Sequence, residues 1–257
     1  MNGNDRTLGD DGGPLVRRAW VFLDTPRTGA DESWRFWAHV TRSRIAPARG
    51  EDGEFSTLLP ARGEPWVKLQ AVADGGPGVH LDLDVDDVHE TARRAEGLGA
   101  VRGGAIGDTV VLMRSPGGFP FCLTTWHGVT GQVREGLTSI LDQVCLDVPR
   151  VHWATEGAFW EALTGWERRD SDEPGFAYLR RPPDIPLRVL LQRLDDEHGP
   201  VRGHVDLACA DRAAEVARHV AAGAAVLDER HFWTVMRDPG GRVYCLTDRS
   251  PEPPPGR

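Results

Sequence analysis

The chain repeats itself, and a repeat constrains a fold more than composition does, because each copy must bury equivalent faces. The stretch "VHLDLDVDD", Val79 to Asp87, returns as "GHVDLACAD", Gly203 to Asp211. His80 falls on His204 at an offset of 124 residues, and Pro116 falls on Pro239 and Cys122 on Cys245 at 123. The match extends upstream. "WVFLDTPR" (Trp20 to Arg27) pairs with "QVCLDVPR" (Gln143 to Arg150), and Phe36 with Phe159, both at 123, while Gln70 pairs with Gln192 at 122. A common offset over this many anchors makes the chain a tandem duplication.

Each half reads as two modules. A module opens with an alternating strand, passes an Asp or Pro turn into an amphipathic helix, and ends in three short strands. In the last module Asp211 caps the helix and Gly223 ends it, and Ala214, Val216, Ala217 and Val220 are expected on its apolar face. "SPGG" and "DPGG" read as hairpin turns, and Asp86–Asp87 as a turn and helix cap rather than a calcium loop. The expected organisation is a lead at 1–14, a first domain at 15–128, a linker at 129–138, a second domain at 139–249 and a tail at 250–257. The lead and tail have compositions suited to disorder.

Bulk properties exclude several classes. A net charge of -9 over 257 residues argues against nucleic acid, which needs a clustered basic surface. No apolar run is long enough for a membrane span, and the N-terminus lacks the apolar core of a secretory signal. The four cysteines are widely spaced with no CxxC, so neither a disulfide framework nor a zinc ribbon is expected, and the default compartment is the cytoplasm.

The module order, the "H-x-x-L" strands at His80 and His204, the "FW…LTGWE" helix exit from Phe159 to Glu167, and the "SPGGFPFCL" and "DPGGRVYCL" endings resemble the vicinal oxygen chelate superfamily. This is the glyoxalase/bleomycin-resistance/dioxygenase fold, and the match is to its glyoxalase-like branch. The resemblance implies an α+β fold of four βαβββ modules. They would form two tandem domains, each an open cup-shaped mixed sheet with helices outside. It also implies four inward positions per cup where relatives hold a divalent metal. Carried over, these are Trp20, Gln70, His80 and Cys122 in the first cup, and Gln143, Gln192, His204 and Cys245 in the second.

None of those eight residues is a carboxylate, Gln is a weak neutral donor, and Trp offers a metal nothing. The expectation is therefore no essential metal. Were one bound, as zinc, nickel, manganese or iron, the second domain would hold it through Gln143, His204 and Cys245. Strand alternation groups His80 with Asp82 and Asp84, His204 with Asp206 and Ala208, and Gln143 with Cys145 and Asp147. The candidate cavity thus gathers Trp20, Gln70, His80, Asp82 and Cys122 in one half. In the other it gathers Gln143, Cys145, Gln192, His204, Asp206 and Cys245. A histidine beside a carboxylate serves as a general base, as a hydrogen-bonding clamp, or as a satisfied core pair. Trp20 either stacks on a flat or cationic ligand or plugs its cup.

Two functions follow from the resemblance. One is binding of a small organic molecule without an essential metal, for sequestration or carriage. The other is a glyoxalase-type lyase or isomerase in the second domain, with His204 as the catalytic residue. Neither reading involves nucleic acid or a membrane, and the chain is expected as a monomer or homodimer.

Overall fold

The computed structural model describes residues 15–128 and 137–251. The expected lead at 1–14, the linker up to residue 136 and the tail from 252 lie outside the described residues. All four modules have the expected order. The first runs β1 (Arg18–Pro26), α1 (Ala30–Val40), β2 (Ser43–Ile45), β3 (Phe55–Pro60) and β4 (Val67–Val72). The second runs β5 (Gly78–Val85), α2 (Val88–Gly97), β6 (Val101–Ile106), β7 (Val110–Arg114) and β8 (Pro120–Thr125). The third runs β9 (Ser139–Val148), α3 (Trp153–Thr164), β10 (Glu167–Asp170), β11 (Phe176–Arg180) and β12 (Arg188–Arg193). The fourth runs β13 (Arg202–Cys209), α4 (Arg212–Ala221), β14 (Ala225–Glu229), β15 (Trp233–Arg237) and β16 (Val243–Thr247).

The strands form two eight-stranded mixed sheets, ordered β2-β3-β4-β1-β5-β8-β7-β6 and β10-β11-β12-β9-β13-β16-β15-β14. This is an α+β architecture with one mixed sheet for each half of the sequence, as the resemblance implies. β1 runs parallel to β4, β5 to β8 and β13 to β16, and the neighbouring pairs such as β7–β8 and β15–β16 are antiparallel. A parallel pair needs a long crossover, and the helix with the next two strands supplies it.

By contact the chain divides into two compact units, and each draws on both halves of the sequence. One unit contains residues 80–130 and 145–203 with the start of β1. It packs α3 against β8 through an aromatic cluster: Phe119, Phe121, Phe159 and Trp160, with ring centroids 5.1–6.0 Å apart. The other contains residues 21–79 and 204–257 with the start of β9. It packs α1 against β16 through Phe36, Trp37, His219 and Tyr244, with centroids 5.1–6.2 Å apart. In α1 the spacing of Ser33, Phe36, Trp37 and Val40 puts all four on one buried face. In both units an arginine from the shorter helix reaches the orphan carbonyls at the end of the longer one. Arg94 donates to Ala162 O, and Arg218 donates to Val40 O and His39 O.

The helix caps follow the sequence chemistry. The Asp87 carboxylate accepts from the amides of His89 and Glu90, and Asp211 from that of Ala214. The apolar face expected on α4 is not the buried one. Ala214, Ala217 and Val220 are exposed and Val216 is half-buried, while Glu215 and His219 are buried. The polar pair goes inward because its partners are there. Glu215 accepts from Arg42 at 2.7 Å and from Arg218, and His219 shares a 2.8 Å hydrogen bond with the Tyr244 hydroxyl. Burial pushes the His219 pKa down to about 3, so its ring is neutral in the folded core. Arg42 stands at the left-handed position, φ 53°, that Gly165 occupies after α3. The strain of a non-glycine residue there, about 1 kcal/mol or more, is offset by the bonds of Arg42 to Glu215 and Ser139.

No helix among the described residues is long and apolar enough to cross a membrane.

Burial alone would raise the Glu215 pKa, but the hydrogen bonds and charges of Arg218 and Arg42 outweigh it and hold it at about 2. A folded pKa below the unfolded one gives stability that is present above the unfolded value and lost as pH falls through the folded one. The parent chain is therefore expected to be more stable than Glu215→Gln at neutral pH in urea unfolding. The two should converge as pH falls from about 4.5 toward about 2. A difference that persists unchanged at pH 2 would contradict this assignment.

Candidate functional site

Strand β5 presents its two faces differently. Val79, Leu81, Leu83 and Val85 point into the core at 4% exposure or less, which is the burial that fixes the register. The alternate positions His80, Asp82 and Asp84 share the opposite face. Parallel pairing sets Cys122 of β8 beside Asp82 and Thr124 beside Asp84, and antiparallel pairing sets Leu112 beside Cys122. The Nδ1 or Nε2 of His80, a carboxylate oxygen of Asp82 and Sγ of Cys122 all lie within 4.8 Å of one another. His80 Nε2 stands 3.6 Å from Asp82 Oδ1, and Asp82 is 5% exposed.

The same construction recurs on β13. His204 Nε2 stands 3.4 Å from Asp206 Oδ1, and Cys245 of β16 pairs in register with Asp206. Here Gln143 of β9 donates through Nε2 to Asp206 Oδ2 at 2.5 Å. Asp206 Oδ1 is buried and accepts no hydrogen bond. At 3.4–3.6 Å the His–Asp pairs are wider than a charge-assisted hydrogen bond, about 2.7–2.9 Å. In the third module the Cys145 thiol donates to Gln192 Oε1 at 3.8 Å.

Trp20 is held on its edge and on one face. Its indole N–H donates to Asp84 Oδ2 at 3.0 Å, and the Arg18 guanidinium lies 3.9 Å from the ring centroid. Asp84 also accepts from the Thr124 hydroxyl at 2.5 Å. The ring face turned to Arg18 is therefore taken by a cation of this chain, itself only 3% exposed. Gln70 is half-buried on β4, in register with Asp24 of β1 and Phe55 of β3.

Sequence reasoning passed over three members of this region: Arg18, Thr124, and the bonding role of Asp84. Period-two alternation does place Arg18 with Trp20 and Thr124 with Cys122. The cross-strand bonds that make them matter depend on the pairing of strands far apart in the chain. Sequence alternation had grouped Asp82 with His80 and Asp206 with His204, but as metal ligands carboxylates were sought only at the four inherited positions of each cup. In the fold the carboxylate comes from two residues past each histidine, at Asp82 and Asp206. Donors for a metal consequently exist in the first half, where Trp20 and Gln70 offered none. The other tryptophans serve the core or its margins. Trp37 and Trp160 are fully buried, Trp166 packs behind Gly165, Trp66 immediately precedes β4 and Trp126 immediately follows β8.

None of the four cysteines forms a disulfide, and only Cys122 among them is partly exposed. Burial pushes the Cys209 thiol up to about 12, leaving almost no thiolate at neutral pH. Native-state alkylation with iodoacetamide is therefore expected to modify Cys122 first and to leave Cys209 intact until the chain unfolds. Peptide mass spectrometry reads the order, and early modification of Cys209 would contradict the burial.

Residues 20–124 and 143–247 each match the glyoxalase-like domain family. No curated protein matches the chain. Among solved structures, the Mn(II)-bound glyoxalase from Novosphingobium aromaticivorans is similar at 17% identity and a TM-score of 0.64, over 91% of this chain and 82% of that one. The halotolerant catechol dioxygenase BphC is similar at 15% identity and a TM-score of 0.59, over 91% and 87%. The 2,2',3-trihydroxybiphenyl 1,2-dioxygenase from Sphingomonas wittichii strain RW1 is similar at 15% and 0.57, over 90% of each chain. At these identities the likeness is one of fold, and such a fold hosts many functions. The chain belongs to the glyoxalase-like domain family and carries two tandem copies of that domain.

Proposed function

We propose that the chain binds a small organic molecule carrying a hydroxyl or amine donor, at the strand faces that bear His204–Asp206 and His80–Asp82. The observation behind the reading is the buried Oδ1 of Asp206, which faces His204 Nε2 at 3.4 Å and accepts no hydrogen bond. Leaving a buried acceptor unsatisfied costs about 1–3 kcal/mol, and a ligand donor reaching that oxygen recovers it. Gln143 holds the other carboxylate oxygen and so aims the open one. His204 is the second clamp, and the group positioned to move a proton if the ligand is converted. In the first half His80 and Asp82 take the equivalent roles, with Asp84 and Arg18 fixing Trp20 beside them. The domains at 15–128 and 139–249 then each carry one such face. The metal-free binder is a sequestering or carrying protein. The lyase or isomerase reading requires that His204 turn the ligand over.

A second reading has its own observation. The nitrogen, oxygen and sulfur donors of His80, Asp82 and Cys122 converge within 4.8 Å. Three protein ligands with a position left open are what a catalytic divalent ion needs, and a thiolate in the set favours zinc. These residues fit such an ion, because a buried carboxylate beside a histidine at 3.6 Å gives it charge that the inherited positions lack. A bound ion there would supply Lewis-acid polarisation of a ligand oxygen. His80, Asp82 and Cys122 would hold it, and Asp84 would keep Trp20 in place next to it.

Two measurements separate the readings. Elemental analysis of protein purified without chelator, beside His80→Ala and His204→Ala, reads metal content. Intrinsic tryptophan fluorescence during titration with hydroxylated aromatic and amine-bearing compounds reads binding. Metal-free protein that binds such a compound, loses the binding at least roughly tenfold in His204→Ala (one lost hydrogen bond to a charged group,) and returns it unchanged is the expected result. Stoichiometric metal lost in His80→Ala establishes the second reading instead. No binding by either metal-free or zinc-loaded protein overturns both.

A further inference from the structure

Each compact unit contains one contact between a helix from one half of the sequence and a turn from the other. In one unit α1 meets the β15–β16 turn, and in the other α3 meets the β7–β8 turn. At an offset of 123, Ser33 corresponds to Glu156, Trp37 to Trp160, Ser115 to Asp238 and Phe119 to Arg242. The two contacts are built alike around the buried indole of the helix. Trp37 Nε1 donates to Asp238 Oδ2 at 2.7 Å, with the Ser33 hydroxyl 3.4 Å from the same oxygen. Trp160 Nε1 donates to Glu156 Oε1 at 2.9 Å, with the Ser115 hydroxyl also bonded to that carboxyl. The turn residue closes its own turn in both. Asp238 Oδ1 accepts from the Arg242 amide at 2.8 Å, and Ser115 Oγ accepts from the Phe119 amide at 3.0 Å.

One carboxylate and one hydroxyl are present in each contact, but their places are exchanged. The carboxylate lies on the turn in the first and on the helix in the second. Ser33, Ser115, Glu156 and Asp238 are all buried, at 4% exposure or less.

We infer that this exchange is a recognition code, by which each half of the chain accepts the other half and rejects a second copy of itself. If the first half packed on another first half, Ser33 would meet Ser115. The indole N–H and the turn amides would then have two hydroxyls and no carboxylate between them. If the second half packed on another second half, Glu156 would meet Asp238, and two carboxylates would share one dry site with the single guanidinium of Arg242 beside them. Like charges at such a separation cannot both stay ionised at low cost. Only the pairing of unlike halves puts one carboxylate at each indole. The partner so excluded is a second copy of this chain engaging by like halves, the route by which duplicated domains exchange between molecules.

The glycine of each turn supports a fitted contact rather than a loose one. A Cβ at Gly117 would lie 2.9 Å from Glu156 Oε2 and 2.4 Å from Val201 Cγ2, and one at Gly240 would lie 3.2 Å from Ser33 Cβ. The Gly117 amide uses that closeness to donate to Glu156 Oε2 at 2.9 Å. The two contacts differ in one respect. Asp238 has the Arg242 guanidinium 3.7 Å away, whereas Phe119 stands at the equivalent place near Glu156. The Glu156 contact is therefore the cleaner place to test the code.

The test is a double-mutant cycle in the full chain with Ser115→Asp, Glu156→Ser and the exchanged Ser115→Asp/Glu156→Ser, read by urea unfolding and size-exclusion chromatography. Ser115→Asp recreates the two-carboxylate contact and Glu156→Ser the two-hydroxyl contact. Each single substitution is expected to lower the folding equilibrium constant roughly tenfold or more, as loss of a buried bond or burial of a second charge does. The exchanged variant is expected to be at least roughly tenfold more stable than independent effects allow, and to stay as monodisperse as the parent. Effects that simply multiply overturn the inference. If a single variant does not fold, folding of the exchanged variant supports the code, and its failure overturns it.

Discussion

Two indole N–H groups organise the interior of this protein. Trp37 and Trp160 are fully buried, and each brings one hydrogen-bond donor into a cluster of aromatic side chains. A buried donor without a partner costs about as much as the stability of many single contacts, so an acceptor must be delivered to each. In both places a carboxylate meets it, at 2.7 Å from Asp238 and at 2.9 Å from Glu156. The turns carrying the proline and two glycines are consequently fixed in position, and they join the last two strands of the second and fourth modules. Burial pushes the Glu156 carboxyl above the usual carboxylate range despite the bonds it receives. Its contact is thus maintained at some electrostatic cost, where Asp238 has Arg242 to share the charge.

Duplication supplied two copies of one histidine strand, and the copies have diverged around a common core. His80 and His204 each face a buried carboxylate two residues on, and each carboxylate has a cysteine of the parallel strand in register. What differs is the strand that opens each half. It carries Trp20 in the first, tied down by Asp84 and Arg18, and Gln143 in the second, bonded directly to Asp206. The same backbone frame therefore presents an aromatic and ionic surface at one place and a neutral amide at the other.

Much of this was legible in the sequence, for reasons that are local. The repeat offset, the strand–helix–three-strand order, the aspartate caps at Asp87 and Asp211 and the "PGG" turns all depend on residues within a few positions of one another. The grouping of His80 with Asp82, and of His204 with Asp206, needed only strand alternation. The rest was not legible because its causes lie far along the chain. The face of α4 was misread because hydrophobicity alone ranks Ala214 and Val220 above Glu215 and His219. The true partners of that buried pair are Arg42 and Tyr244, and Arg42 stands 173 residues from Glu215. Arg18 is buried over the Trp20 ring, a contact that the strand pattern alone does not announce. Nothing in either helix alone shows that Glu156 and Ser33 are halves of an exchanged pair, because each makes sense only beside a turn in the other half.

A protein that buries an open carboxylate oxygen accepts a standing loss of stability, and folded chains remove such losses unless something holds them in place. The packing around Asp206 is tight. Val205 and Leu207 are fully buried, Gln143 satisfies the neighbouring oxygen, and Arg249 forms a two-pronged bond with Asp142 on the adjacent strand at 2.7 and 2.9 Å, its buried Nε being the other polar atom here without a hydrogen bond. A single serine or asparagine in reach would satisfy the open acceptor. That Oδ1 instead faces His204 Nε2 at 3.4 Å, and a histidine and a carboxylate two residues on stand 3.6 Å apart again at His80 and Asp82. The open oxygen of Asp206 is the feature on which the proposed ligand contact rests.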